Sequence, residues 1–260
     1  MPFTVAHAVV APALSKLSGG RLAVTALAIG AMSPDFAYVA FLDTQRDFAH
    51  RLPGLLVFCL PASIAVLVVW HGLVKRPLAG LLPHRWGHLG AALCRPLPAA
   101  TWRSGAATVT AVLVGAVSHV AWDSFTHPDG RAVLAFDVLR EPVPVVGHRL
   151  HVWLQYGFGV AGVAALAVMI VVWARRQPRV EVARRPVGRR VGGVAAIFVV
   201  TLAGAVANVA RVGAGAERFA GKEVLVAGVL GAMAGVAVAV TVYGVSQAGR
   251  GGPELRPEAS

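Results

Sequence analysis

The sequence predicts an all-α protein, a polytopic helical bundle embedded in a membrane. Of its 260 residues, 57% are apolar and only 14% are charged, and the mean hydropathy is +0.68. A soluble domain carries about 25% charged residues, so this chain cannot cover itself with an ordinary solvated surface. The composition therefore excludes a disulfide-rich secreted scaffold, a disordered chain and an ordinary cytosolic enzyme.

Long apolar runs predict about six transmembrane helices, because a spanning helix needs about 20 predominantly apolar residues. Backbone polar groups cannot go unpaired in lipid, so these runs must be helices rather than open strands. One run, Leu22–Leu42, is long enough but carries Ser33-Pro34-Asp35 in its middle. The five uninterrupted runs are Gly54–Val74, Gly105–Phe125, Val152–Ala174, Val191–Ala210 and Val224–Val245.

The N-terminal segment predicts a short hairpin helix ahead of these spans. Phe3–Leu17 is apolar but short, and Ser18-Gly19-Gly20-Arg21 is typical of a turn. If both arms of the hairpin enter the membrane, His7 and Asp35 come to a similar depth, since they lie about 12 and 15 residues from the turn. If Phe3–Leu17 instead lies on the inner surface, His7 is too far from Asp35 to meet it.

Positive charge is concentrated in two loops that join apolar runs. Residues 75–104 contain five basic residues and no acidic one, and residues 175–190 contain seven arginines and one glutamate. The two loops therefore supply +11 of the net charge of +12. Basic loops between spans follow the positive-inside rule rather than the pattern of a nucleic-acid-binding surface. We expect both loops to be cytoplasmic, residues 126–151 to be external, and no nucleic acid to be a partner.

The same features divide the chain into three predicted parts. Residues 1–160 form a membrane domain that carries the ionisable motifs and a candidate metal site. Residues 161–245 form transmembrane scaffold helices without such a motif. Residues 246–260 are rich in glycine and polar residues and are expected to be a disordered cytoplasmic tail.

Ionisable side chains inside the apolar runs are few, and they are functional candidates because burying them in lipid is costly. His119 and Asp123 are four residues apart and share one face of a helix, and His127 follows one turn later, just before Pro128. A neutral imidazole and a carboxylate on one face are typical ligands for a first-row metal such as zinc or manganese.

Three further residues are predicted to join this pair at the outer face. Asp35 lies about as deep in its run as His119, His50 precedes the next span, and His7 joins them if the hairpin enters the membrane. Three imidazoles and one carboxylate fill a tetrahedral zinc shell, and six groups suffice for two metals or for ligands and a base. The alternative is that His119 and Asp123 only hydrogen-bond to each other and to neighbouring helices.

Two more histidines flank Arg149 on the predicted outer side. His148 and His151 lie close to the start of the next span. They are candidates for a general acid or a substrate contact. The alternative is that both are ordinary residues of the membrane interface.

Four motifs resemble a family of bacterial integral membrane proteins known as a domain of unknown function. They are MPFTVAH (1–7), GAMSPDF (30–36), HRLPGLLVFCLP (50–61) and GAVSHVAWDSFTH (115–127). Their order is also similar to that in the membrane-bound metal-dependent hydrolases of the YdjM type, over roughly residues 1–160. The sequence departs from the hydrolase pattern at two places. Phe36-Ala37 replaces a second Asp after Pro-Asp, and Ala49-His50-Arg51 replaces a Thr-His-Ser.

The resemblance implies a divalent metal, most simply zinc, and a metal-dependent hydrolase in the bacterial cytoplasmic membrane. It implies a site at the outer face that acts on a lipid-linked or envelope substrate, with membrane lipids as partners. Two other classes stay open. One is a structural or assembly protein whose His and Asp residues are interhelical bonds, and the other is a transporter of a metal or a small solute. The implied ligands are His7, Asp35, His50, His119 and Asp123, with His127 in addition.

Overall fold

The computed structural model describes residues 4–40, 46–95, 99–143, 147–180, 186–214 and 221–248. Most of these residues are helical, and none of them belongs to a β-strand. The predicted all-α fold is therefore confirmed for the described part of the chain.

Thirteen α-helices occur in the described residues, together with short turns of other helical types. A 3₁₀ turn, Thr4–Val9, precedes the first helix, a second, Ser33–Asp35, follows α2, and the wide helical turns Leu55–Cys59 and Trp70–Val74 flank α6. The helices are α1 (Val10–Leu17), α2 (Val24–Met32), α3 (Phe36–Val39), α4 (Arg46–Ala49), α5 (Leu52–Gly54), α6 (Leu60–Val69), α7 (Lys75–Ala79), α8 (Gly87–Leu93), α9 (Trp102–Thr126), α10 (Arg131–Ala135), α11 (Leu150–Arg175), α12 (Val187–Gly213) and α13 (Gly221–Ala248).

Five helical segments are long and apolar enough to cross a membrane, and they contain the five uninterrupted runs that the sequence predicts. The remaining predicted run, Leu22–Leu42, is shorter than expected. Its helical segment is Val24–Val39, and residues 41–42 lie outside the described part of the chain. The five long segments are Leu52–Ala79, Trp102–Ala135, Leu150–Arg175, Val187–Gly213 and Glu223–Ala248.

Large apolar side chains cover the outside of these helices. On α11, Val168 is 62% exposed, and on α12, Phe198 is 66% exposed. Soluble proteins rarely expose continuous apolar surface of this kind. A surface so apolar is suited to the hydrocarbon of a membrane rather than to water.

The chain divides into two compact units. The first combines Phe3–Ile64 with Ala99–Val171, and the second combines Ala65–Pro98 with Val172–Ser260. All residues of the predicted metal site belong to the first unit. In the predicted tail, α13 continues to Ala248, and residues 249–260 lie outside the described part.

Helices α2 and α9 touch at the centre of the first unit, and glycines make this contact possible. A Cβ added at Gly30 would overlap the backbone of Val112, and one at Gly115 would overlap the backbone of Leu27. Leu27 and Val112 are fully buried. Close approach of two helices in a membrane depends on small residues at the contact. The contact brings the carboxyl-terminal half of α9 beside the end of α2.

Helices α1 and α2 form the hairpin that was one of the two alternatives for the N-terminus. Gly19 and Gly20 adopt φ values of 65° and 77°, which side-chain-bearing residues rarely tolerate. The Gly20 N–H donates a hydrogen bond to the Ser15 carbonyl over 2.8 Å, which closes the end of α1. The chain then turns back, so that the Thr4–Val9 turn contacts α2.

The second unit is built on the packing of α12 against α13. Asn208, buried on α12, donates a hydrogen bond from Nδ2 to the Ala227 carbonyl of α13 over 2.8 Å. Helix α13 also contacts α7 and the Trp70–Val74 turn. Among the described residues of this unit, no three potential metal ligands lie together.

Candidate metal centre

The residues predicted as metal ligands converge inside the first unit. They come from four separate stretches of the chain, and their side chains form a continuous set of short contacts. Two overlapping triplets within this set have ligand atoms close enough to hold a metal ion. We call the set the His–Asp cluster. Its members are His7, Asp35, His50, His119, Asp123 and His127.

Helix α9 supplies His119 and Asp123 from successive turns, and His127 follows directly after its end. His119 is fully buried, and Asp123 is 7% exposed. The helix ends at Thr126, because the residue before a proline avoids the α-helical conformation. His127 accordingly has an extended backbone, with φ −110° and ψ 145°. The predicted spacing and the predicted helix end are both present.

Asp35 lies in the Ser33–Asp35 turn that interrupts the helix after α2, and it is completely buried. The Thr4 hydroxyl donates a hydrogen bond to Asp35 Oδ2 over 2.7 Å. This bond holds one carboxylate oxygen. The other oxygen, Oδ1, lies 3.7 Å from the Nε2 atoms of both His50 and His119.

A small apolar core positions His50. Ala49, the preceding residue, is fully buried in a core with Leu55, Cys59 and Ala116. The Cys59 thiol donates a weak hydrogen bond to the Ala49 carbonyl over 3.4 Å. Because Ala49 is held on two sides, His50 Nε2 is directed at the carboxylates of the cluster.

His7 reaches the cluster through the N-terminal hairpin. Its ring stacks on that of His119, with centroids 3.8 Å apart and ring planes 22° apart. Its Nε2 lies 3.6 Å from Asp123 Oδ1. His7 and Asp35 therefore share His119 as a neighbour, as the membrane-inserted alternative for the hairpin predicts.

Ligand atoms of Asp35, His50, His119 and Asp123 lie close to one another. His119 Nε2 lies 3.2 Å from Asp123 Oδ2, and His50 Nε2 lies 3.5 Å from the same oxygen. Asp35 Oδ1 lies 3.7 Å from each of these two nitrogens. Ligands at 2.0–2.2 Å from a tetrahedral zinc are about 3.3–3.6 Å apart. The contacts of Asp123 Oδ2 and those of Asp35 Oδ1 therefore lie near the separations of zinc ligands, and the two triplets that could hold an ion share His119.

The second oxygen of Asp123 faces another pair of histidines. Oδ1 lies 3.6 Å from His7 Nε2 and 3.6 Å from His127 Nδ1. His127 Nε2 lies 3.3 Å from the side-chain nitrogen of Gln155, so this ring nitrogen accepts from the amide and Nδ1 carries the proton. Within the described residues, His127 belongs to neither triplet that could hold a metal ion. Its place in this arrangement is beside the carboxylate of Asp123.

The tautomer of His119 follows from its surroundings. Its Nδ1 lies 2.7 Å from the carbonyl oxygen of Ala31, which can only accept a hydrogen bond, so Nδ1 carries a proton. In the neutral ring, Nε2 then presents a lone pair toward Asp35 and Asp123. Metal-binding histidines commonly donate their other N–H to a carbonyl in this way.

The hydrogen bonding of the buried polar atoms in the cluster shows whether a metal ion fits there. Asp35 Oδ1, His119 Nε2 and Asp123 Oδ1 are buried without a hydrogen-bond partner among the described residues. Leaving a buried polar atom unpaired costs about 1–3 kcal/mol, and more when it is charged. These electron-pair donors face one another, so a cation satisfies them where another donor of lone pairs would not. The residues present therefore fit a divalent ion.

The other two predicted site residues lie apart from the cluster. His148 is exposed, and its ring centroid lies 6.4 Å from that of Trp153. His151 is 4% exposed, and neither of its ring nitrogens has a hydrogen-bond partner in the described part of the chain. Neither histidine forms an ion pair or ring contact with the described residues of the cluster. Their role as an acid or a substrate contact stays a prediction.

Three supporting residues were not singled out from the sequence. Thr4 holds Asp35, Cys59 holds the backbone before His50, and Gln155 contacts His127. Thr4 and Cys59 lie within the motifs MPFTVAH and HRLPGLLVFCLP, so the motifs contained a signal for them. Gln155 is an amide within the apolar run Val152–Ala174, which marks it as unusual. Its position along the chain did not show which residue it would contact.

The chain was compared with known proteins by family, by sequence and by structure. The model of the family DUF4184, described as a domain of unknown function, matches residues 1–245. Neither the curated proteins nor the solved structures gave a significant match. The matched region contains the whole His–Asp cluster and all five long apolar helices. The chain therefore belongs to the DUF4184 family.

Proposed function

We propose that this protein is a membrane-embedded, divalent-metal-dependent hydrolase that cleaves an ester or phosphoester bond of a lipid-linked or envelope substrate. The observation that carries the proposal is the environment of His119. Its Nδ1–H is committed to the Ala31 carbonyl, while its Nε2 faces the carboxylates of Asp123 and Asp35 at 3.2 and 3.7 Å. Neither contact has hydrogen-bonding geometry. A cation between these groups accounts for the arrangement.

Asp35, His50, His119 and Asp123 are the residues that would hold the ion. Two imidazoles and two carboxylates suit zinc, and manganese is the second choice. When bound, a divalent ion supplies Lewis-acid activation of water and of the scissile ester or phosphoester. The bond from Thr4 to Asp35 and the bond from His119 to Ala31 orient two of the four ligands in advance.

His7 is the residue best placed to move a proton. Its Nε2 lies 3.6 Å from Asp123 Oδ1, so a proton taken up at Nε2 is balanced by a carboxylate. Stacking on His119 holds the ring in this orientation. Histidine is the side chain that most often transfers protons in catalysis. Gln155 and His127 support Asp123 from the other side.

The proposed location is the cytoplasmic membrane of a bacterium, with the cluster at the outer face. The apolar exposed helices support a membrane location, and the two basic loops favour a cytoplasmic position for the amino-terminal end of α9. The cluster residues of α9 lie at the opposite end of that helix. The order of the motifs resembles that of the YdjM-type hydrolases, which supports the reaction class.

The proposal is tested with detergent-purified protein. Metal content is measured by elemental mass spectrometry, and hydrolysis is measured with p-nitrophenyl esters and bis-p-nitrophenyl phosphate, before and after metal is removed and zinc restored. The test variant is His119→Ala with Asp123→Ala. Matched controls are His84→Ala and Asp129→Asn, which change exposed residues outside the cluster.

We expect the wild type and the two controls to contain at least about one equivalent of metal and to recover hydrolysis when zinc is restored. The test variant should lose the metal and the hydrolysis. Metal binding without hydrolysis of any of these substrates would overturn the proposal of a hydrolase and would favour a transporter. Flux measurements in vesicles would then test transport. If wild-type protein inserts normally but binds no metal, the cluster is a set of interhelical bonds in a structural protein.

A further inference from the structure

A cavity of about 220 Å³ lies directly beside the His–Asp cluster, in the first unit. His7 and Asp123 line it, so one end of the cavity reaches the cluster. Its walls come from the N-terminal segment and from helices α9 and α11. The remaining lining residues are Ala6, Val9, Val10, Ser118, Trp122, Thr126, Gln155, Phe158, Gly159, Ala161, Gly162 and Ala165.

Away from the cluster the walls are mostly apolar, with Ser118, Thr126 and Gln155 as the polar lining residues. The rings of Trp122 and Phe158 meet edge to face, with centroids 4.4 Å apart, and both side chains are also partly exposed on the outside of the protein. The cavity therefore borders the surface that hydrocarbon would cover. A polar ligand would leave its donors and acceptors without partners here, whereas burial of hydrocarbon against such walls is favourable.

The size of the cavity limits what hydrocarbon it accepts. A volume of about 220 Å³ holds roughly seven water-sized groups, and a methylene group is about as large as a water molecule. One unbranched chain segment of about seven carbons matches this volume. The close approach of α11 to the N-terminal segment, where a Cβ at Gly162 would meet Ala6 Cβ at 2.9 Å, keeps the cavity narrow.

We infer that this cavity binds one unbranched acyl chain of the substrate and brings the bond that joins it to the headgroup beside His7 and Asp123. The inference rests on the proposed function for the reacting end. The assignment of the walls as a binding site for the chain depends only on the composition of the walls, and it can be tested without metal. The substrate class is therefore an acyl ester or an alkyl phosphoester rather than a water-soluble ester.

The first test uses chain length as the variable. Alkyl hydroxamates bind metal through the headgroup, so acetohydroxamate and octanohydroxamate differ only in the chain. We expect zinc-loaded wild-type protein to bind octanohydroxamate at least about tenfold more tightly in calorimetry. Ala165→Leu, which narrows the cavity, should lose this gain. Ala164→Leu, a change at a neighbouring exposed position outside the cavity, should keep it.

Equal affinity for the two hydroxamates in the wild type, or an undiminished gain in Ala165→Leu, would overturn the inference. A third probe, 3,7-dimethyloctanohydroxamate, tests the shape of the chain. Weaker binding of this branched probe than of octanohydroxamate supports an unbranched ligand. Equal or tighter binding would overturn that assignment and favour an isoprenoid chain.

The second test separates the cavity from the metal. Metal-free protein is irradiated with diazirine-bearing octanoic acid, and the adducts are mapped by mass spectrometry. Adducts concentrated near Trp122 and Phe158 and lost in Ala165→Leu support the cavity even if the protein proves to bind no metal. Uniform labelling along all apolar helices would overturn the assignment of the cavity as the chain-binding site. The proposed function is decided by the metal measurements alone.

Discussion

His119 donates a hydrogen bond from Nδ1 to the carbonyl oxygen of Ala31 over 2.7 Å, although the two residues are 88 positions apart in the chain. The bond joins α9 to α2 beside the contact that Gly30 and Gly115 make possible. One helix contact therefore sets both the packing of the first unit and the tautomer of a residue at the centre of the cluster.

Asp123→Asn separates metal binding from packing. The change keeps the shape of the side chain and its hydrogen-bonding capacity, but it removes the charge that faces His50 and His119. We expect bound metal to fall at least tenfold while the protein still inserts and purifies normally. Elemental analysis beside Asp129→Asn, an equivalent change at an exposed residue, makes the comparison. Unchanged metal content in Asp123→Asn would contradict a metal site.

Thr4→Val tests the orientation of Asp35. It removes the hydroxyl that donates to Asp35 Oδ2 while preserving the volume of the side chain. Loss of a residue that orients a metal ligand typically reduces metal affinity by about 10–100-fold. Competition with a fluorescent zinc chelator measures the affinity, and Thr4→Ser, which keeps the hydroxyl, should restore it. Equal affinity of the valine and serine variants would exclude this role for Thr4.

Acid should release the metal. An imidazole binds metal only when its ligating nitrogen is unprotonated, and an ordinary histidine titrates near pH 6.5. Lower pH adds protons to imidazole ligands in general, so protons compete with the ion and the fraction of metal retained decreases. We expect full occupancy at about pH 7.5 and progressive loss between about pH 6.5 and 5, measured by metal analysis after equilibrium dialysis. Occupancy that rises toward pH 5 would be inconsistent with imidazole ligands.

Gly115→Ala should disrupt the contact between α2 and α9, because the added Cβ would overlap the backbone of Leu27. Overpacking of this kind costs about 1–3 kcal/mol of stability. Gly105→Ala is the matched control, since a Cβ at this position of the same helix meets nothing within 4 Å. Thermal unfolding in detergent should show a lower Tm for Gly115→Ala alone. Equal Tm values for the two variants would mean that this contact does not limit stability.

Single cysteines at the two ends of α9 test the membrane orientation. The helix has 25 residues and is about 37 Å long, so its ends lie on opposite sides of a bilayer. In a Cys94→Ser background, an impermeant maleimide applied to intact cells should label Asp129→Cys and not Ala100→Cys. Both positions are exposed, and the remaining Cys59 is fully buried. The reverse labelling pattern would place the cluster on the cytoplasmic side.

Features that depend on local geometry were predictable from the sequence. Apolar runs of about 20 residues predicted the five long helices, and the four-residue spacing of His119 and Asp123 placed both on one helix face. Pro128 predicted the end of α9, and His127 does adopt the extended backbone expected before a proline. Each of these follows from the rise and rotation of a helix or from one steric clash. No distant part of the chain is needed.

The assembly of the cluster, in contrast, depends on contacts between distant parts of the chain. The broken run around Asp35 gave a segment too short to count as a sixth long span, and the stacking of His7 on His119 needed the observed hairpin. Which oxygen of Asp123 faces which histidines, and the support from Thr4, also came from the folded chain. These relationships join residues far apart in the sequence. They depend on how closely separate helices approach, which spacing along one helix does not determine.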